Sequence, residues 1–145
     1  MIYLGSDHRG YELKEFFKGY LKDAQIAFQD MGPSTYVSDD DYPVYSEKVA
    51  RALENESDKG VLICGGGHGV CVTANKIKGV RASLMDSTNS AKVGRNDDNI
   101  NVLCLGADFV TKDQALDILK TFLETPFSGA NRHVRRIEQI KKLES

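Results

Sequence analysis

The sequence lacks the features that define membrane proteins and nucleic-acid-binding proteins. It has no apolar run that approaches the roughly 20 residues needed to span a membrane. Its first residues lead straight into a short strand pattern, without a basic start or a long apolar leader. The formal net charge is −2 and the pI is near 5.9, so no overall basic field attracts nucleic acid or a membrane surface. Any anion-binding site must therefore be built locally, and we expect neither a nucleic acid nor a membrane as a partner.

Cysteine is also scarce in this chain. There are three cysteines, at positions 64, 71 and 104, with no CxxC pair and an odd total. This number and spacing argue against a disulfide framework and favour reduced thiols in the cytoplasm. The 145 residues, of which 41% are hydrophobic, suffice for one domain with its own core. We therefore expect a cytoplasmic protein with a single domain that covers residues 1–145.

Short apolar runs alternate with helical patterns along the whole chain. Strands are predicted at 2–4, 26–28, 61–64, 81–85 and 102–105. Helices are predicted at 13–21, 42–53, 70–76, 87–95, 111–123 and 131–143. Thr111 and Gln114 have the spacing of a capping box at the start of the fifth helix. This alternation predicts an α/β fold in which a five-stranded parallel sheet is covered by helices on both faces.

The most informative segment joins the third strand to the helix that follows it. The apolar run at 61–63 ends in Cys64, and four of the next five residues are glycines, at 65, 66, 67 and 69. In a strand, glycine turn and helix of this kind, backbone N–H groups converge on an anion, helped by the helix dipole. Glycine allows positive φ angles and a close approach of the backbone to a ligand. A thiol at such a turn is placed to act as a nucleophile or a base, whereas Cys71 and Cys104 are interpreted as packing residues.

Other polar residues have spacings that suit substrate binding. Asp7 and His8 follow the first strand, and ligands of open α/β sheets bind beyond the carboxyl ends of the strands. Asp7 has an alternative structural interpretation as a helix N-cap. Arg132 and Arg136 lie four residues apart in a predicted helix, where they can form a clamp for a phosphate group. A solvated basic helix end is the alternative interpretation of these two arginines.

The glycine loop also invites comparison with nucleotide-binding motifs. A GxGxxG frame that starts at Gly65 places Val70 where the third glycine belongs, although Asp86 imitates the ribose-binding acid. A chain of this length would also lack a separate substrate domain. The Walker A pattern is absent, because Gly69 is not followed by Lys and then Ser or Thr. Dinucleotide binding therefore ranks low among the functional hypotheses.

A metal site is a further alternative. Cys64, His68 and His8 could supply ligands, but the sequence shows no paired-ligand spacing of the kind that zinc sites have. We therefore expect no bound metal.

Five motifs occur together and in a fixed order. They are GSDHRG at 5–10, DYP at 41–43, ICGGGHG at 63–69, ANKIKGVRA at 74–82 and RHVRR at 132–136. This set resembles the ribose-5-phosphate isomerase type B family, with its related galactose-6-phosphate isomerase subunits, over nearly the whole chain. The resemblance implies a Rossmann-like three-layer sandwich and interconversion of an aldose phosphate and a ketose phosphate in carbohydrate metabolism, such as the pentose phosphate pathway. It also implies no metal or organic cofactor, and a homodimer or homotetramer with active sites at the subunit interface.

The resemblance assigns roles to individual residues. Cys64 matches the cysteine that moves a proton between C1 and C2, and residues 65–69 match the loop that holds the enediolate oxygens. The matched substrate-binding residues are Asp7, His8, Tyr42, Gly65, Gly66, Gly67, Gly69, Arg132 and Arg136, with the two arginines at the phosphate. Isomerisation needs one base that moves a proton between two adjacent carbons. It also needs hydrogen-bond donors that are already oriented toward the negative charge of the enediolate. A thiol beside a ring of backbone amides meets both needs.

The chain also departs from the family pattern. Asp97 and Asp98 stand where the family has a ring-opening histidine followed by an asparagine, and Asp108 replaces a phosphate-binding arginine. Gly66 stands where Ser or Thr is common, and His68 where the residue is usually apolar or Asn. We expect His68 or Asp97 to supply the ring-opening acid and Asp98 to contact substrate. The departures predict either an altered sugar-phosphate specificity or a non-catalytic or half-site partner subunit of a hetero-oligomeric isomerase.

Overall fold

The computed structural model describes residues 1–144 and contains a five-stranded sheet in which every neighbouring pair of strands is parallel. The strands are β1 (Ile2–Ser6), β2 (Phe28–Asp30), β3 (Lys59–Cys64), β4 (Ala82–Leu84) and β5 (Val102–Gly106). The helices are α1 (Tyr11–Asp23), α2 (Tyr42–Ala52), α3 (His68–Ala74), α4 (Thr88–Asp98), α5 (Lys112–Glu124) and α6 (Asn131–Lys141). The strand order is β2-β1-β3-β5-β4. The predicted α/β class and parallel sheet are confirmed.

Two hydrophobic clusters lie on opposite faces of the sheet. Alternate residues of a strand point to opposite faces, so Val61 and Ile63 join one cluster while Leu62 and Cys64 join the other. The first cluster is completed from α1, α4 and α5, and the second from α2 and α3. Because both faces are covered, all of β5 and every residue of β3 after Lys59 are buried. This arrangement is the predicted three-layer sandwich.

The second strand starts later than the sequence pattern predicts. β2 is Phe28–Asp30, whereas the apolar run predicted a strand at 26–28. Gln25 adopts a left-handed φ of 57°, and its N–H donates to the Lys22 carbonyl at 3.1 Å. The Ile26 N–H donates to the Leu21 carbonyl at 2.9 Å, which completes a Schellman motif at the end of α1. The apolar Ile26 therefore belongs to the helix terminus and packs on the core from there.

Other element boundaries shift by a few residues. The side chain of Ser87 caps α4, which extends to Asp98 rather than to 95. The predicted capping box of α5 is present, with the Gln114 N–H donating to Thr111 Oγ1 at 3.1 Å and the Thr111 N–H donating to Gln114 Oε1 at 2.9 Å. α3 starts two residues before the predicted helix and also ends two residues earlier. α6 ends at Lys141 rather than at 143, and β4 has three residues instead of five.

The register of the sheet determines which chain segments meet at its carboxyl edge. Ser6 pairs with Ile63, and Cys64 pairs with Gly106, so β1, β3 and β5 end side by side. The loops that follow these three strands are therefore neighbours, as predicted for β1 and β3. None of the helices in the described part of the chain is long and apolar enough to cross a membrane.

Candidate active site

Cys64 is the last residue of β3 and lies beneath the glycine loop. Its side chain is buried, with 6% exposure, and its Sγ accepts a hydrogen bond from the Gly67 N–H at 3.1 Å. Gly67 has a φ of 78°, which directs this amide back toward the thiol. A Cβ at position 67 would lie 2.5 Å from Leu84 and 2.8 Å from the Gly106 nitrogen. Only glycine fits there, so the loop conformation and the thiol–amide contact depend on one residue type.

The other loop glycines also make close contacts. A Cβ at Gly69 would overlap the ring of Tyr42, the first residue of α2. A Cβ at Gly66 would lie 3.2 Å from the imidazole of His68, which is the first residue of α3 and is exposed. Tyr42 and His68 therefore border the loop that covers Cys64.

Asp7 stabilises the turn that follows β1. Its Oδ1 accepts hydrogen bonds from the N–H groups of Arg9 at 2.9 Å and Gly10 at 3.1 Å. The N-cap of α1 is Gly10, so Asp7 is not the helix cap of the alternative interpretation. The Asp7 N–H donates to the Ile63 carbonyl at 3.2 Å, which joins this turn to β3 one residue before Cys64.

His8 is oriented by an aspartate that sequence reasoning missed. Asp40 Oδ1 lies 2.9 Å from His8 Nδ1 and accepts the His8 N–H at 2.8 Å. A carboxylate only accepts hydrogen bonds, so Nδ1 carries the proton in this contact. The Asp40 side chain is 5% exposed, so the pair is held firmly. The only sequence signal was the run of three aspartates at 39–41, which does not single out Asp40.

A second missed contact joins the turn after β1 to the end of β5. Arg9 Nη2 donates to Asp108 Oδ2, and the Asp108 N–H donates to the Gly65 carbonyl at 3.0 Å. Asp108 therefore has a cationic partner from the neighbouring loop. Tertiary proximity creates this pair across 99 residues, so the local sequence pattern does not reveal it.

The remaining predicted residues lie at the other edge of the sheet. Asp97 and Asp98 end α4, which runs back from the carboxyl edge toward the start of β5. The Asp98 carbonyl accepts a hydrogen bond from Arg81 Nε at 3.2 Å, just before β4 begins. The five residues of β5 span roughly 13 Å between the two edges. Within one chain, Asp97 and Asp98 therefore do not meet Cys64.

Arg132 and Arg136 lie on α6 with this second set of residues. Between them, His133 is buried, with its Nε2 3.8 Å from Asp97 Oδ1 and its Nδ1 2.7 Å from Ser128 Oγ. Both arginines are exposed. The name α4–α6 group is used below for Asp97, Asp98, Arg132 and Arg136. The name glycine-loop group is used for Cys64, His68, Asp7, His8, Tyr42 and glycines 65, 66, 67 and 69. The fold brings together the members of each group but does not bring the two groups together.

A cavity of about 580 Å³ lies on the side of the α4–α6 group. Its lining includes Lys76, Arg81, Asp98, Ile140 and Leu143, but no residue of the segment 64–69. In one chain, this open space and the thiol are therefore separate.

The structure also places the residues of two weaker hypotheses. Among residues 1–144, no three His, Cys, Asp or Glu side chains form a group that could hold a metal ion. Cys104 is fully buried in β5, where burial raises the pKa of its thiol well above the ordinary value. Cys71 in α3 is half-buried, and a hydrogen bond with Cys104 lowers the pKa of its thiol. Both pack in or against the core beneath α2 and α3, as predicted for packing residues.

Known proteins resemble this chain along nearly its whole length. Residues 2–140 match the profile of the family described as Ribose/Galactose Isomerase. The probable ribose-5-phosphate isomerase B of Mycoplasma genitalium is 44% identical over 145 residues, which cover 99% of this chain and 95% of the relative. The ribose-5-phosphate isomerase B of Mycobacterium tuberculosis is 36% identical over 144 residues, which cover 99% of this chain and 89% of the relative.

Solved structures agree with the sequence comparison. Ribose-5-phosphate isomerase B of Clostridium thermocellum has a TM-score of 0.93 and 37% identity, covering 99% of this chain and 96% of that chain. The Mycoplasma genitalium enzyme, solved with bound ribulose-5-phosphate, has a TM-score of 0.89 and 42% identity. The match covers 99% of this chain and 95% of that chain. The chain therefore belongs to the ribose/galactose isomerase family, which confirms the family and the class of enzyme, an aldose–ketose isomerase, that the sequence motifs predict.

Proposed function

We propose that this chain interconverts ribose 5-phosphate and ribulose 5-phosphate, with Cys64 as the proton shuttle. The observation that carries the proposal is the buried Cys64 thiol at the end of β3, beneath a loop whose Gly67 amide contacts the sulfur. A relative of 42% identity that binds ribulose-5-phosphate supports the choice of substrate. The protein then acts in the pentose phosphate pathway, as a cytoplasmic enzyme without a metal or organic cofactor.

The proposed chemistry needs one base and one set of oxyanion donors. The Cys64 thiolate removes the proton from C2 of the open-chain aldose, and the electron pair moves through the enediolate. The enediolate first carries its negative charge on O1, and the proton of the O2 hydroxyl then passes to O1. The thiol returns its proton to C1 while C2 and O2 form the carbonyl of the ketose, so the thiolate is regenerated. Backbone N–H groups of residues 65–69 stabilise the enediolate charge in a site whose donors are already oriented.

Ring opening needs a separate acid. His68 is our candidate, because it is exposed and borders the loop over Cys64, and an imidazole can act as a general acid. Asp97 is the alternative acid from the α4–α6 group. Asp7, His8 and Tyr42 surround the same loop and are proposed to contact the sugar.

The separation of the two groups supports a site shared by two copies of the chain. Arg132 and Arg136 lie with Asp97, at the far edge of the sheet from Cys64, so one sugar phosphate cannot reach both groups within one chain. In a dimer with twofold symmetry, each copy can present its α4–α6 group to the glycine loop of the other. We therefore propose a homodimer, or a homotetramer built from it, with the arginines holding the substrate phosphate.

The substrate is tested with the purified chain and a panel of tetrose, pentose and hexose phosphates. We expect ribose 5-phosphate to give the highest kcat/KM of the panel. Preference for a hexose phosphate would contradict the proposed substrate, and absence of isomerisation with every sugar phosphate would contradict the proposed activity. Absence of isomerisation is the result expected of the alternative function, a non-catalytic partner subunit. The relatives, which are described as isomerases, do not support this alternative.

The shared site is tested by mixing two variants, each impaired in one of the two groups, at a ribose 5-phosphate concentration well below KM. Cys64→Ala damages the glycine-loop group, and Arg136→Ala damages the α4–α6 group. Random reassociation of equal amounts makes half of the dimers hybrids with one intact site each, so about one quarter of the wild-type activity should return. A mixture of Cys64→Ala with the double variant Cys64→Ala/Arg136→Ala is the control and should stay inactive. No recovery in the first mixture, after confirmed subunit exchange, would contradict a shared site.

A further inference from the structure

The guanidinium group of Arg9 lies flat on the glycine loop. A Cβ at Gly65 would overlap it, with the guanidinium carbon closest and Nε and Nη1 slightly further away. Because the carbon is nearer than either nitrogen, the plane of the group, rather than its edge, faces Gly65. The guanidinium therefore occupies the place of a side chain at position 65, directly after Cys64.

The turn after β1 brings Arg9 to this position. A Cβ at Gly10 would lie 2.5 Å from the Ile63 carbonyl oxygen, so only glycine lets this turn approach β3 so closely. The Asp7 carboxylate accepts the Arg9 N–H at 2.9 Å and fixes the backbone from which the side chain extends. These backbone contacts thus direct the Arg9 side chain across the end of β3.

Asp108 holds the guanidinium from the opposite side. It pairs with Nη2, and its own N–H donates to the Gly65 carbonyl at 3.0 Å. Within residues 1–144, Nε and Nη1 of Arg9 have no hydrogen-bond partner, and the Arg9 side chain is 54% exposed. An exposed ion pair of this kind contributes little to folding stability. The placement of two free donors over Gly65, the residue that follows Cys64, is therefore the feature that needs a function.

We propose that Arg9 is a phosphate-binding residue of this site and that Asp108 positions it, an inference that rests on the proposed isomerase function. Nη1 carries two N–H groups and Nε one, and charge-assisted hydrogen bonds from a guanidinium to phosphate oxygens are among the strong ones in proteins. Arg9 and the Arg132 and Arg136 side chains of a second copy carry three positive charges in total. Asp108 carries one negative charge. The net charge of +2 matches a phosphate that carries about −1.5 to −2.

This arrangement predicts an unusual order of effects for two variants. Arg9→Ala removes the cation and leaves the Asp108 carboxylate facing the phosphate, so repulsion adds to the loss of hydrogen bonds. Arg9→Ala/Asp108→Ala removes the repulsion and should bind phosphate better than Arg9→Ala alone. If Arg9 and Asp108 only stabilised the fold, removing both would not restore binding.

The experiment measures KM for ribose 5-phosphate, kcat, and the affinity for inorganic phosphate by calorimetry. For Arg9→Ala we expect KM and the phosphate Kd to rise at least about tenfold, with kcat within about threefold of wild type, because the contact is similar in ground and transition states. The double variant should recover part of both losses. Arg51→Ala is the matched control, since Arg51 is 63% exposed and pairs with Glu47 on α2 at 2.7 Å, and it should change neither constant.

Unchanged KM and phosphate affinity in Arg9→Ala would overturn the inference, and so would a loss confined to kcat. Arg9→Gln, which keeps the length of the side chain, gives the same test if the alanine variant folds poorly. Calorimetry with inorganic phosphate does not require turnover. An inactive wild type would therefore refute the proposed function, while the phosphate affinities of wild type and variants would still decide the role of Arg9.

Discussion

Lys14 is a charged residue whose side chain is completely buried, and replacing its counterion should destabilise the fold strongly. Lys14 has 0% exposure, and its Nζ donates to Asp30 Oδ1 at 2.8 Å, Asp30 Oδ2 at 2.9 Å and the Pro33 carbonyl at 2.6 Å. Lys18 donates to Asp30 Oδ2 at 2.7 Å. The substitution Asp30→Asn keeps the shape of the side chain but removes the negative charge shared by the two lysines.

The size of the effect follows from the burial of the ammonium group. Removing one partner of a buried ion pair costs about 3–5 kcal/mol where the other charge stays buried without compensation. Here Glu15 Oε1 still lies 3.5 Å from Lys14 Nζ and offsets part of this cost. The amide oxygen of the substituted side chain still accepts one hydrogen bond and Pro33 keeps its contact, so we expect a loss near the lower limit, about 3 kcal/mol. This is a large share of the roughly 5–15 kcal/mol that stabilises a typical domain.

The loss is measured as the free energy of unfolding in urea, at one fixed protein concentration because association shifts the apparent stability. Glu47→Gln is the control, since its exposed pair with Arg51 should contribute less than about 0.5 kcal/mol. Lys14→Met should cost less than Asp30→Asn, because it removes the buried charge itself. A change below about 1 kcal/mol for Asp30→Asn would refute the reasoning.

Three other predictions concern pH, the loop and the histidine. Burial opposes ionisation of Asp30, but hydrogen bonds from the two lysines outweigh this effect and lower the pKa of the carboxyl group. The stabilisation that Asp30 provides is therefore present above the unfolded pKa of about 3.9 and is lost as pH falls through the lower folded pKa. Urea titrations between about pH 5 and pH 2 should then show a flatter loss of stability for Asp30→Asn than for wild type. Gly67→Ala should cost at least about 2 kcal/mol in the same assay and abolish turnover, because φ is 78° and the Cβ has no space. Asp40→Asn should lower kcat/KM by roughly tenfold without a comparable loss of stability, since the hydrogen bond that holds the proton on His8 Nδ1 loses its charged acceptor. Equal kcat/KM values would remove Asp40 from the site.

The sequence patterns predict the framework of the fold because strands and helices have different periods. The apolar run at 61–64 and the helical spacing in α1 were sufficient to place β3 and α1. Ile26 was misplaced because an apolar residue at a Schellman terminus looks the same in sequence as the first residue of a buried strand. Periodicity describes which residues are buried but does not say which element buries them.

The site was predictable in part, for a similar reason. Cys64, the glycines and Asp7 follow strand ends directly, and the parallel sheet brings strand ends together. Arg9 and Asp40 were missed because their contacts join segments 99 and 32 residues apart, and no local pattern marks them. The distance of Asp97 from Cys64 became evident only from the path of α4 across the layer.

The proton-shuttle role of Cys64 is tested most directly by the rate of interconversion of ribose 5-phosphate and ribulose 5-phosphate in Cys64→Ala. Loss of an essential general base predicts that kcat falls by at least about 10²–10⁴-fold, while thermal stability and phosphate affinity stay near those of wild type. Cys71→Ala, which alters a packing thiol of α3, should keep most of the activity. A Cys64→Ala variant that turns over ribose 5-phosphate at a rate close to wild type would contradict the mechanism and remove Cys64 from the chemistry.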